Sequence, residues 1–162
     1  MGSAPLITTY LEMRSSDQLR PKRADARFQV HEKTDRDWRF NRDLYLQVGE
    51  QWDWIDKRPW AADQWIQYAM APELRTFAAY YSDALSGYYE LHQDAENGIE
   101  IAYFGLLPEF IGRGLGGAAD ERHRRSVVLP WRDRAFTGLG AYLQSRSPAG
   151  ACELSGARNG RL

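Results

Sequence analysis

The stretch GLLPEFIGRGLGG, residues 105–117, decides the fold predicted for this chain. The apolar run from Ile99 to Leu107 predicts a buried strand that ends at Pro108. Four glycines follow closely: Gly112, Gly114, Gly116 and Gly117. A strand that ends in a glycine-rich turn and then opens a helix directs several backbone N–H groups at one point, where the helix dipole adds positive potential. The sequence therefore predicts a phosphate-binding turn, with the charge of Arg113 beside it.

The turn also carries a recognisable spacing of glycines. The segment Ile111-Gly112-Arg113-Gly114-Leu115-Gly116 resembles the signature Gln/Arg-x-x-Gly-x-Gly/Ala of the acetyl-CoA-dependent N-acetyltransferases of the GNAT superfamily. Both required glycines are present, at Gly114 and Gly116, but Ile111 stands where Gln or Arg is usual. Because the groups that hold a pyrophosphate in such a turn are backbone amides, the change at Ile111 leaves them intact.

The resemblance implies a cofactor site along the end of the strand and the turn. Acetyl-CoA is the implied cosubstrate, and no metal is implied. The pantetheine arm is expected on the backbone of Phe104, Gly105 and Leu106, where amides near Leu106 would polarise the thioester carbonyl. The pyrophosphate is expected on the turn, whose residues are Ile111, Gly112, Arg113, Gly114, Leu115, Gly116 and Gly117.

The chemistry that the resemblance implies needs a base, because an amine attacks only through its lone pair and a lysine-like amine is mostly protonated at neutral pH. In the family a carboxylate on the fourth core strand often removes that proton. Glu100 is the candidate, eleven residues before Ile111. The alternative is that Glu100 is a surface residue of an alternating strand. A tyrosine of the distal helix usually serves as the general acid, and this chain lacks it at the matching place.

The upstream sequence predicts the remaining elements of an α/β (α+β) fold. Strands are predicted at Leu6–Met13, Phe28–Lys33, Leu74–Tyr81, Ser86–His92 and Gly98–Leu107. Helices are predicted from a cap at Asp35 or Asp37 to about Gly49, and over Ala61–Met70. This order is similar to the acyl-CoA N-acyltransferase fold of the GNAT superfamily, a mixed and mostly antiparallel sheet flanked by helices, with its C-terminal part incomplete. The acetyltransferase domain is accordingly predicted to span residues 1–117.

The tail, residues 118–162, differs in composition. It holds eight Arg, no Lys and four acidic residues, a net charge of +4, whereas residues 1–117 carry −5. We interpret this tail as the product of a GC-rich gene that is translated out of frame after about residue 117. Permitted codons for Tyr142 through Asn159, when translated one base later, can encode TCSLDHPRALANYQARG, which is similar to the family's next strand and helix. The missing tyrosine then falls across the codons of Leu154 and Ser155. Beyond Arg125 we expect irregular or weakly packed chain. The alternative is a disordered basic tail.

Composition limits the remaining function classes. The single cysteine, Cys152, rules out an internal disulfide and a four-cysteine zinc site, and His31, His92 and His123 lack ligand spacing. No apolar run reaches the roughly 18 residues of a membrane span, and no signal peptide opens the chain, so a cytoplasmic protein is expected. The expected partner is a small-molecule or peptide amine acceptor, not nucleic acid or membrane; a homodimer stays open.

Aromatic residues around the predicted helices are a second place where an acceptor could bind. Trp52, Trp54, Trp60, Trp65 and Tyr68 lie in or beside this region. They predict either an aromatic wall for an acceptor or plain core packing, and core packing is favoured for Trp65 and Tyr68. Two other functions stay open for the whole chain: a non-catalytic CoA- or acyl-CoA-binding remnant, and a β-rich binding module in which the glycine turn is incidental.

Overall fold

The structure, a computed structural model, describes residues 7–13, 26–52, 54–93, 98–115 and 139–145. These residues form six strands and two α-helices. The strands are β1 (Ile7–Met13), β2 (Phe28–Glu32), β3 (Leu74–Tyr81), β4 (Ala84–Gln93), β5 (Ile99–Leu106) and β6 (Leu139–Ser145). The helices are α1 (Trp38–Gly49) and α2 (Ala62–Ala69), and a 3-10 turn follows β5 at Pro108–Phe110. No helix among these residues has the length and apolar character that crossing a membrane requires.

The strands form one sheet in the order β1-β6-β5-β4-β3-β2. Neighbours are antiparallel except β5 and β6, which run parallel. The predicted α/β class, with a mixed and mostly antiparallel sheet, is confirmed. The Asn97-Gly98 hairpin and a helix beyond Gly117 are also expected from the sequence, but Asn97 and the chain that follows Gly117 lie outside the described residues.

Local signals set the boundaries of α1 and of the β3–β4 turn. Asp37 caps α1, since its side chain accepts a hydrogen bond from the N–H of Arg39. Ser82 and Asp83 both have positive φ, 49° and 65°. Positive φ at both central residues is what a two-residue hairpin of the type I′ class requires. The predicted strands and helices upstream of Pro108 therefore agree with the structure to within two residues at each described end.

The core lies between the sheet and the two helices. Phe28, Leu44, Tyr45, Val48, Trp65 and Tyr88 are fully buried in it. A second buried cluster, Phe77, Tyr89, Leu91 and Ile99, lies on the other face. Neighbouring residues of a strand point to opposite faces, so the sequence Tyr88-Tyr89 predicts one ring in the core and one at the surface. This prediction is wrong, because both faces of β4 are buried here.

Of the expectation of irregular or weakly packed chain beyond Arg125, the irregular alternative is wrong for Leu139–Ser145, which form β6. This strand pairs with β1 over seven residue pairs and with β5 over three. Its sequence, LGAYLQS, places Leu139, Ala141 and Leu143 at alternate positions, as a strand requires. The turn-forming composition of the whole tail concealed this short alternation.

Candidate active site

The strand β5 leaves β6 before it reaches the glycine turn. Its pairing with β6 ends at Ile101, whereas its pairing with β4 continues to Leu106. Between the pairs Glu90–Tyr103 and Leu91–Ile101, Ala102 is an extra residue on β5, which makes a β-bulge. A bulge bends its strand and is common beside active sites. The two parallel strands therefore diverge at the point where the cosubstrate is expected.

The predicted cofactor residues lie along the diverging part of β5 and in the turn after it. Phe104, Gly105 and Leu106 stand opposite Tyr89, Tyr88 and Gly87 of β4. At Gly105 a side chain is excluded, since a Cβ atom would lie 2.2 Å from Cγ1 of Val48 on α1. Position 105 must therefore be a glycine for α1 to pack against β5.

The turn itself is open where the resemblance expects phosphate. Gly112 and Gly114 have φ of 81° and 74°, in the left-handed region that favours glycine. A Cβ atom at either position would meet no atom of the described residues within 4 Å, so in this part of the chain nothing fills that side of the turn. Ile111 is 42% exposed and Leu115 is buried. The guanidinium of Arg113 lies 5.2 Å from the ring centre of Phe110. Gly116 and Gly117 lie outside the described residues.

The predicted base, Glu100, is half-buried near the start of β5. It stands opposite His92 of β4 and Gly140 of β6. By strand alternation it shares a face of the sheet with Tyr103, Glu90 and α1. Nothing in this arrangement tests its catalytic role, which stays a prediction.

A second carboxylate, Glu90 on β4, lies on that face and was not predicted as a site residue. Only 1% of Glu90 is exposed. Oε1 accepts a hydrogen bond of 2.7 Å from Nδ2 of Asn41 on α1, and Oε2 accepts one of 2.5 Å from the hydroxyl of Tyr68 on α2. The same Asn41 amide donates to Oγ1 of Thr76 on β3 at 2.7 Å. Both helices and two strands thus hold this carboxyl in place.

Burial gives Glu90 and its partner unusual acidities. Burial raises the pKa of Glu90 to about 7, although the hydrogen bonds from Tyr68 and Asn41 and the charge of Lys57 act in the opposite direction. Burial, together with the charge of Glu90, raises the pKa of the Tyr68 hydroxyl far above its ordinary value. A carboxyl with a pKa near 7 takes up and releases protons at neutral pH, as a general base does.

The segment between the helices places charged and aromatic side chains above Glu90. Asp56 accepts hydrogen bonds of 2.6 Å from the hydroxyls of both Tyr45 and Tyr103. Partial desolvation by itself would raise the pKa of Asp56, but these two hydrogen bonds and the charge of Lys57 hold that pKa below its ordinary value. Asp56 is therefore ionised at neutral pH and fixes the position of the segment.

The sequence does contain one signal that points to Glu90. Glu90 interrupts the apolar strand SGYYELH two positions after Tyr88, and residues two apart in a strand share a face. A glutamate on the core face needs a partner or a function. Its partners Asn41 and Tyr68 are 49 and 22 residues away in sequence, so only the fold brings them together.

Comparison with known proteins agrees with the geometry of the strands and the turn. The family described as "Acetyltransferase (GNAT) family" matches residues 29–119, more than half of the chain. The chain belongs to the GNAT acetyltransferase family, and it is classed as an acyltransferase. This excludes the interpretation of the chain as an unrelated β-rich binding module. A comparison with the curated proteins found no match.

Solved structures share the fold at low sequence identity. A GCN5-related N-acetyltransferase from Sphaerobacter thermophilus has a TM-score of 0.62 and 14% identity, covering 93% of this chain and 46% of that one. One from Kribbella flavida has a TM-score of 0.55 and 11% identity, covering 85% and 50%. An aminoglycoside acetyltransferase from an uncultured soil metagenomic sample has a TM-score of 0.54 and 7% identity, covering 72% and 78%. These likenesses concern the fold alone.

Proposed function

We propose that this protein is an N-acetyltransferase that moves the acetyl group of acetyl-CoA to a primary amine, with activity impaired by its tail. The observation that supports this most directly is the divergence of β5 from β6 beside the buried Glu90–Tyr68 pair. The diverging strand ends at Leu106, about 10 Å beyond Tyr103 at about 3.3 Å per residue, and the glycine turn begins five residues later at Ile111. Thioester and pyrophosphate then lie at the two ends of one stretch of backbone.

Glu90 is the proposed base, acting through Tyr68. As the Tyr68 hydroxyl takes a proton from the acceptor's ammonium group, it passes its own proton to Oε2 of Glu90. The freed amine attacks the thioester carbonyl and the new C–N bond forms. The C–S bond then breaks, the sulfur leaves with the electron pair, and the second proton of the attacking nitrogen passes to that sulfur, so that the products are the amide and the thiol of CoA. A leaving thiolate whose thiol has a pKa near 8.5 needs little help from an acid. Glu100 is the alternative base.

The test of the base is a pair of matched variants, Glu90→Gln and Glu100→Gln. CoA release is measured with small amines, dipeptides and aminoglycosides; the last are included because a structural neighbour acetylates them. We expect Glu90→Gln to lower kcat/KM by about a hundredfold or more, the usual size of general base catalysis. Glu100→Gln is expected to change it less than threefold. The reverse pattern would assign the base to Glu100.

Binding separates the enzyme from the non-catalytic alternative. We expect acetyl-CoA to bind with measurable heat in calorimetry and to turn over slowly. Binding without turnover, both in this chain and in a version with the frame restored after Gly117, would favour the CoA-binding remnant. Failure to bind acetyl-CoA at all would contradict both.

A further inference from the structure

Lys57 places its ammonium group among three aromatic rings. Nζ lies 4.4 Å from the ring centre of Trp60, 4.7 Å from that of Tyr68 and 4.9 Å from that of Tyr103. It also lies 3.3 Å from Oδ2 of Asp56. Cations within about 6 Å of an aromatic ring face are attracted by its quadrupole, and three such rings form the kind of cage that binds ammonium ligands. We call Trp60, Tyr68 and Tyr103 the aromatic cage.

The aromatic cage is built independently of Lys57. Trp60 packs against Trp65 and Tyr68, with ring centres 5.2 and 5.5 Å apart. Tyr103 packs against Trp54 and Tyr45, with ring centres 4.9 and 5.2 Å apart. Because these contacts with neighbouring rings do not involve Lys57, we expect the rings of Trp60 and Tyr103 to stay in place when the Lys57 side chain is removed.

The cage opens to solvent at Asp56 and reaches inward to the proposed base. The side chain of Lys57 is 12% exposed, whereas that of Asp56 is 58% exposed. On the inner side, the ring of Tyr68 carries the hydroxyl that is bonded to Glu90. Lys57 belongs to the segment between the helices, and its backbone N–H is held by the hydroxyl of Tyr45 at 3.1 Å. Its four-carbon side chain can turn outward without a change of backbone.

We propose that the aromatic cage is the subsite for the acceptor's ammonium group, and that Lys57 fills it in the free protein until a cationic acceptor displaces it. The inference rests on the proposed function. It restricts the acceptor to amines that are cationic before they react and carry the ammonium on a slender alkyl chain, as a lysine side chain does. Anilines, which are neutral at pH 7, lack the charge that the rings and Asp56 select.

The test measures binding alone, so it does not depend on acetyl transfer. Choline is the probe, because its quaternary ammonium cannot be acetylated, and 3,3-dimethyl-1-butanol is its uncharged isostere. We expect Lys57→Ala to bind choline at least tenfold more tightly than the unaltered protein does, as followed by tryptophan fluorescence and NMR titration. The isostere is expected to gain less than threefold.

Two further variants make the result specific. Lys33→Ala removes another lysine that lies over a ring, 4.9 Å from Phe40, and that pairs with Asp35; it is expected to leave choline binding unchanged. The double variant Lys57→Ala, Trp60→Ala is expected to lose the gain. Should Lys57→Ala fail to fold, Lys57→Gln keeps the length without the charge and is expected to gain affinity too.

Equal affinity for choline with and without Lys57, or equal gains for choline and its isostere, would overturn the proposal. If Lys57→Ala gains affinity for choline but no acetyl transfer is detected, the proposed ammonium subsite stands and the proposed acetyltransferase activity is contradicted.

Discussion

At the scale of single residues, the most consequential feature is a carboxyl enclosed by its hydrogen-bond partners. Glu90 keeps its proton in the folded protein up to a pH of about 7, because burial penalises the charged form. In the unfolded chain it ionises near the ordinary glutamate pKa of 4.5. Between these two pH values the folded state holds the extra proton, so this group's contribution to folding decreases as the pH rises.

We expect the free energy of unfolding to show this dependence directly. Relative to Glu90→Gln, the protein should lose about 3 kcal/mol of stability between pH 4.5 and pH 8, since each unit of pKa difference corresponds to about 1.4 kcal/mol. Urea denaturation at a series of pH values measures the difference. Glu109→Gln, which changes an exposed carboxylate in the same way, is the matched control. A difference curve for Glu90→Gln as flat as that of the control would contradict the prediction.

At the scale of elements, the sequence carried enough information for most of the fold upstream of Pro108. Asp37 marked the start of α1, and apolar runs interrupted by Ser82-Asp83 marked β3 and β4, because caps and turns depend on local chemistry. The residues of the candidate site were harder to predict from the sequence. The bulge at Ala102 and the pair Glu90–Tyr68 arise from strand register and from contacts between distant segments, which residue patterns do not encode. Glu100, chosen by spacing from the glycines, could not be weighed against Glu90 without that register.

The proposed role of the glycine turn can be tested by comparing acetyl-CoA with a ligand that lacks the pyrophosphate. Gly114→Val would add a branched side chain on the open side of the turn, at a φ that also disfavours it. We expect the affinity for acetyl-CoA to fall at least tenfold in calorimetry. S-acetylpantetheine, which lacks the pyrophosphate, should bind this variant and the unaltered protein equally. If both ligands weaken together, the substitution has disturbed the strand and not a phosphate site.

At the scale of the whole molecule, the frameshift that we infer after about residue 117 makes a prediction about activity. We expect a version with the frame restored after Gly117 to release CoA about a hundredfold faster than this chain, because misplacement of reacting groups by about 1 Å has an effect of that order. Sequencing the gene across the codons of Gly117 to Ala119 shows which frame it encodes. Equal rates for the two versions would mean that the tail, including β6, is a working part of the enzyme.

The brief contact between β5 and β6 divides the sheet into two unequal groups of strands. Among the described residues, three residue pairs join β6 to β5, whereas β1 and β6 share seven with each other. We therefore expect β1 and β6 to separate from the rest of the sheet as a unit, at a free-energy cost below that of global unfolding. In native-state hydrogen exchange, we expect the amides of Leu139–Ser145 to lose protection together, and those of β3 and β4 to exchange only with the whole protein. If acetyl-CoA binds where β5 and β6 diverge, as proposed, this separation would open its site, and we expect the separation to limit the rate of CoA release.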